Sequence, residues 1–277
     1  MKKLSTISFL LASAFSLFSC SRDEVTNPQP GFQDEELLAA STVADFVTEV
    51  DFQTGMNAAE EDSSLGRGAA TGTTAIPQCP TVFVSGNDFP KTYTIDYGSG
   101  CTNNGISRSG MLTITLSGFF FANGTVITIE RNNYKVNGYK IAGTVVYTNQ
   151  TTGNDIPRWL RTISNGQITN PAGTIFTHTG SWMVNQIGGA NTVFLLSDNV
   201  YEITEGFRTI TGPGGASLTG TIVTPLIKMY ACPHISQGVL NLQGVWLDGN
   251  LNYGNNTCDN QAIYTHSNGT TYNVILF

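Results

Sequence analysis

Long apolar runs, basic stripes and clustered catalytic side chains are what this sequence has least of. Its longest apolar stretch, Ile7 to Phe18, is about a dozen residues, too short to cross a hydrocarbon core of roughly 30 Å as a helix. Lys and Arg total 13 and gather nowhere, which argues against a nucleic-acid partner. Only three histidines occur (His178, His234 and His266), and no nucleophile motif surrounds them. No Gly-x-Ser-x-Gly turn exists, and Gly212-Pro213-Gly214-Gly215 lacks the lysine of a phosphate cradle. From residue 77 onward there are nine acids and nine bases. Glycoside hydrolysis needs two carboxylates facing across a cleft, and nothing in the spacing of those nine brings a pair together. The chain therefore reads as more non-catalytic than catalytic, and no catalytic residue is assigned.

The acidity that remains is lopsided. Residues 1–76 hold eleven acids against four bases. Within that segment, Lys2 and Lys3 precede the apolar stretch, which ends in Leu17-Phe18-Ser19-Cys20. A positive start, a short apolar centre and a small residue before the cut describe a secretory signal over residues 1–19. Leu at minus three, Ser at minus one and then Cys resemble a bacterial lipobox, which makes Cys20 the expected lipidation site. Phe18 is bulkier than usual at minus two. More than one acyl chain gives a stable anchor, at roughly 0.8 kcal/mol per buried methylene. Ser21-Arg22-Asp23-Glu24 resembles the acidic surface-export signal that follows such a cysteine, so the expected location is the outer membrane, with the surface-facing and periplasmic orientations both open.

Residues 20–33 read as a polar tether. Residues 34–62 read as an amphipathic acidic helix: Val43, Phe46, Val47 and Val50 share one face. Docking of this helix on the domain is the simpler expectation, and partner binding the other. Residues 63–76 are Gly-, Ser- and Thr-rich, as in a flexible linker. Residues 77–277 alternate apolar and polar side chains, as in Tyr93, Ile95, Tyr97 and in Leu112, Ile114, Leu116. Asn-Gly pairs at 104, 123, 137, 165 and 268 supply positive φ for tight turns. The expected fold is all-β: a large antiparallel meander of a dozen or more strands, forming a sandwich or a partly open barrel, preceded by one short helix.

Four cysteines lie in this region: Cys79, Cys101, Cys232 and Cys258. An even number in an exported chain suggests two disulfides, with three connectivities open. The chain also resembles itself. Cys79-Pro80 leads to Ile95-Asp96-Tyr97-Gly98 and Cys101, while Cys232-Pro233 leads to Leu251-Asn252-Tyr253-Gly254 and Cys258. Two related hairpin units favour pairing within each: Cys79 with Cys101, and Cys232 with Cys258. A zinc set of Cys232, His234, Cys258 and His266 is the weaker alternative, since its spacing lacks the usual close pairs. Asp248, Asn250 and Asn252 open like a calcium loop, but Tyr253 and Asp259 stand where Gly and Glu belong. No metal or cofactor is expected.

The lipobox, the acidic helical segment, the two Tyr-Gly…Cys units and the segment Gly254-Asn255-Asn256-Thr257-Cys258-Asp259 together resemble a group of uncharacterised, β-rich Bacteroidota lipoproteins. That resemblance implies a fold and a location but no activity. The function expected from the residues is a non-catalytic binding or interaction module. Its partners would be the membrane, through the N-terminal lipid, and envelope proteins or glycans. The aromatic run Phe119-Phe120-Phe121 and the spread Trp159, Trp182 and Trp246 could stack on sugars, though each is also an ordinary core residue. The alternatives are a carrier of a hydrophobic ligand and an envelope hydrolase acting on polysaccharide.

Overall fold

The computed structural model describes residues 32–62, 79–153, 155–192 and 195–277. The signal segment, Cys20, nearly all of the tether and the 63–76 linker lie outside these residues. One helix, α1 (Phe32–Glu61), precedes fourteen strands among the described residues. These are β1 (Thr81–Ser85), β2 (Lys91–Asp96), β3 (Cys101–Asn103), β4 (Ile106–Leu116), β5 (Val126–Val136), β6 (Tyr139–Asn149) and β7 (Arg158–Thr169). They continue as β8 (Ile175–Gly188), β9 (Val200–Thr211), β10 (Ser217–Met229), β11 (Gln237–Gln243), β12 (Asp248–Asn255), β13 (Gln261–His266) and β14 (Thr271–Ile275). All belong to one antiparallel sheet in chain order, with β3 set aside as a short partner of β4. The sheet is open, with β1 and β14 as its edges.

Alternation assigns the two faces. Ile114, Ile129, Val145 and Ile163 sit opposite one another across β4 to β7, all on the inner face. The outer face is rich in threonine. Two cross-strand pairs, Thr92 with Thr115 and Thr209 with Thr219, are hydrogen-bonded at 3.1 and 3.0 Å. β-branched hydroxyls suit a solvated pleated face, and facing pairs of this kind stabilise it.

The inner face wraps around α1. Phe52 alone meets Phe120, Tyr147, Trp159 and Tyr201, so one helical side chain touches rings of β6, β7 and β9 and of the connection between β4 and β5. Leu37, Val43, Val47, Val50 and Met56 are fully buried, as are the polar Ser41, Thr48 and Asp51. The expected helix is present within about two residues of its bounds. It is buried on nearly every side rather than lying with one face to solvent, and it is the centre of the hydrophobic core.

Bulges supply the curvature. Register shifts interrupt the ladders β4–β5, β5–β6, β6–β7, β7–β8, β8–β9 and β10–β11, and an extra residue on one strand bends it and sharpens its twist. The β9–β10 ladder is interrupted as well, and Gly206 lies in that interruption at φ 124, where an added Cβ would fall on the Ser181 carbonyl oxygen. Gly206→Ala should therefore cost about 1–3 kcal/mol of stability, read as a lower urea midpoint with unchanged m-value. An unchanged midpoint would show that this bulge is not held in the left-handed region.

The Asn-Gly pairs divide into three kinds. Asn104-Gly105 and Asn137-Gly138 are two-residue hairpin turns with both residues at positive φ, as expected. Asn123-Gly124 and Asn268-Gly269 sit in longer connections. Asn165-Gly166 is not a turn: it lies inside β7 at a bulge, with Asn165 at φ 51. The same conformational freedom serves a bulge as well as a turn, so the dipeptide alone does not separate them.

Candidate functional site

The two Cys-Pro units have the same construction. Each starts at Cys-Pro, forms a hairpin (β1–β2 or β11–β12), ends in Tyr-Gly and closes at a cysteine. Cys79 lies at disulfide distance from Cys101 and Cys232 from Cys258, with Cα atoms 5.8 and 5.6 Å apart. Each bridge closes a loop worth roughly 3 kcal/mol on chain-entropy grounds. The turn after each hairpin is tied the same way. The Gly98 amide donates to Asp96 Oδ1 (2.8 Å), and the Gly254 amide donates to Asn252 Oδ1 (2.9 Å). Asn252 is thereby a turn-former, while Asp248 and Asn250 hydrogen-bond to Gln243 and Asn241 of the neighbouring strand, so the calcium-like spacing belongs to a strand.

Curling brings the two units together. A groove of about 510 Å³ is walled by Pro80 and Val82 of the first unit, by Tyr230, Ala231 and Pro233 leading into the second, and by the last turns of α1. β1 and β10 are eight steps apart in the sheet, about 38 Å if it were flat, so one groove joins them only because the sheet curls around the helix. Gln53, Asn57, Asn103 and Asn104 bring amides to the lining, Glu61 an acid and Arg108 a base. The Gln53 amide donates to the Tyr230 carbonyl (2.7 Å), and the Tyr230 hydroxyl donates to Asn57 Oδ1. Burial pushes the Tyr230 hydroxyl up to about 12, so it stays a donor at neutral pH.

α1 also carries a row of acids paired with arginines of the sheet. Asp45, Glu49 and Asp51 of α1 meet Arg208, Arg161 and Arg131 of β9, β7 and β5. Asp51 is held from two sides, by Arg131 (2.8 Å) and by the Tyr134 hydroxyl (2.8 Å). Burial pushes its carboxyl up against the pull of both. The three arginines occupy inward positions of their strands, as in Trp159, Arg161 and Ile163 of β7. That placement was the signal available in the sequence: a charge at a core position requires a partner, and the helix carried the matching acids.

Arg108 is different. It faces Cys101 in the β3–β4 ladder, and its guanidinium lies over the Tyr97 ring, 5.4 Å from the centroid. Its Nε is buried without a hydrogen-bond partner, and no ion pair among the described residues includes it. Sequence reasoning missed Arg108 because only the tertiary structure shows which arginines have found a carboxylate.

No protein-family model, curated protein or solved structure matches the chain.

The remaining candidate side chains are scattered. His178 is buried on β8, with both ring nitrogens lacking partners, and burial with the nearby Arg131 pushes it down to about 4. His266 Nε2 lies 3.0 Å from the Trp246 carbonyl oxygen, and His234 packs on Phe46. Among the described residues no three His, Cys, Asp or Glu side chains form a metal-binding group. Phe119-Phe120-Phe121 falls in the connection between β4 and β5 rather than on a strand; Phe120 is buried and Phe119 exposed. Trp159 and Trp182 are core residues, and Trp246 is exposed. A second hollow of about 250 Å³ lies between the N-terminal half of α1 and β14, lined by Leu38, Leu247, Tyr264 and Val274. It falls below the roughly 300–1,000 Å³ of typical ligand pockets. Among the described residues no helix is long and apolar enough to cross a membrane.

Proposed function

We propose that this chain is a non-catalytic binding module of the bacterial cell envelope, anchored in the outer membrane through lipid on Cys20, with its ligand held in the groove between the two Cys-Pro units. The observation that carries the reading is the groove itself: a polar concavity whose two walls are each stapled by a cysteine pair, so it keeps its shape without a ligand. The carrier alternative needs an empty apolar interior, and α1 occupies that space. The hydrolase alternative needs two carboxylates facing across a cleft. Among the described residues Glu61 is the lone acid of the lining.

Thermal melting of the whole exported chain against a panel of envelope polysaccharide fragments, peptides and fatty acids tests the binding role. A ligand that raises the midpoint for the wild type and not for Ala231→Trp, which fills the groove, supports it. Turnover of any member of the panel by the wild-type chain would overturn the non-catalytic part. The anchor has its own test. Cys20→Ala should leave the protein unlabelled by radioactive palmitate and extractable from cells without detergent. Unchanged retention in the membrane pellet would sink the lipoprotein reading.

A further inference from the structure

The two Cys-Pro units carry one arrangement twice, and in one copy it is complete. In the second unit the Tyr253 hydroxyl donates to Asp45 Oδ2 (3.0 Å), and Arg208 donates to Asp45 Oδ1. Tyrosine, arginine and carboxylate are linked there, although Arg208 Nη2 is buried without a partner. In the first unit the corresponding tyrosine, Tyr97, lies under Arg108, but no carboxylate among the described residues forms an ion pair with it. The one acid whose field reaches both residues, Asp51, is committed to Arg131 and Tyr134. Arg108 therefore lines an open groove with its Nε buried and unpartnered and with no ion pair among the described residues.

The geometry points to an acidic oligosaccharide as the groove's ligand, its carboxylate meeting Arg108 as the Asp45 carboxylate meets Arg208. This inference rests on the binding role proposed above and names its ligand class. A carboxylate suits a guanidinium because a hydrogen bond between two charged groups is stronger than one between neutral groups. A saccharide fits the rest of the lining. Asn103 and Asn104 each carry a donor and an acceptor together, the pairing that vicinal hydroxyls require, and Gln53 and Asn57, each held by one bond to Tyr230, keep further donor and acceptor capacity. An acyl chain would strip water from those amides and return no hydrogen bonds. A groove of about 510 Å³ lies within the range that holds a ligand of a few rings.

Isothermal titration of the whole chain, made soluble by Cys20→Ala, tests this with trigalacturonate, its methyl ester and neutral galactotriose. Trigalacturonate should bind, and the ester at least about tenfold more weakly, since a hydrogen bond to a charged group contributes at least that much. Arg108→Gln should erase the difference between acid and ester, Arg108→Lys should keep part of it, and Ala231→Trp should abolish binding of all three. Circular-dichroism melting of each variant confirms that it folds. Equal binding of acid and ester, unchanged in Arg108→Gln, would overturn the carboxylate site while leaving the binding role standing. Binding that survives Ala231→Trp would overturn the groove and both readings with it. No binding of any sugar, with or without binding of a short peptide through its free C-terminal carboxylate, would overturn the ligand class.

Discussion

Asp51→Ala should destabilise the fold by about 3–5 kcal/mol, the range for removing one partner of a buried ion pair. Asp51 and Arg131 have 0% and 1% of their side chains exposed, so water cannot replace the lost carboxylate. The substitution strands a guanidinium and the Tyr134 hydroxyl together. Urea unfolding followed by tryptophan fluorescence measures the loss. The double variant Asp51→Leu with Arg131→Met should recover most of it, because two apolar side chains leave no charge to solvate. A single-variant cost below about 1 kcal/mol would mean that water reaches the pair and that the helix is less enclosed than its burial implies.

Acid should weaken the protein through His178. Its folded-state value is pushed down to about 4 from an ordinary 6.5 by burial, with Arg131 adding repulsion. The unfolded chain therefore binds the proton more readily than the folded one. The stability contributed by the neutral ring is complete above about pH 6.5 and is lost as pH falls through about 4. Converting that shift at 1.36 kcal/mol per unit gives a fall of about 3 kcal/mol across the window. Asp51, shifted upward, acts in the opposite sense at the acid end, so the informative quantity is the difference between wild type and His178→Leu. That difference should shrink steadily from pH 7 to pH 4. A constant difference would show that His178 keeps an ordinary affinity for its proton and is more hydrated than its position suggests.

These two effects mark where the sequence was readable and where it was not. Strand alternation such as Tyr93, Ile95, Tyr97 predicted inward and outward faces, because a period of two survives whatever the sheet packs against. The echo of Cys-Pro to Tyr-Gly to Cys predicted the pairing of Cys79 with Cys101 and Cys232 with Cys258, because a repeated hairpin brings its own ends together. Val43, Phe46, Val47 and Val50 predicted α1, but their single face understated its burial. Ser41, Thr48 and Asp51 are equally enclosed, since the sheet approaches from every side. The 165–166 turn failed because a bulge and a turn ask the same φ of Asn.

Local chemistry in the chain decided the fold class, the helix, the strand faces, the cysteine pairing and an expected lipid anchor, since each depends on spacing over a few residues or on two matching segments. Tertiary structure alone decided that α1 is the core of a curled sheet, that the two Cys-Pro units share one groove, and which arginines are neutralised. Arg131, Arg161 and Arg208 find acids on α1, and Arg108 finds none among the described residues. The reason is that a charge at an inward strand position is satisfied or left open by whatever the curled sheet places opposite it, and that partner lies dozens to more than a hundred residues away in the chain.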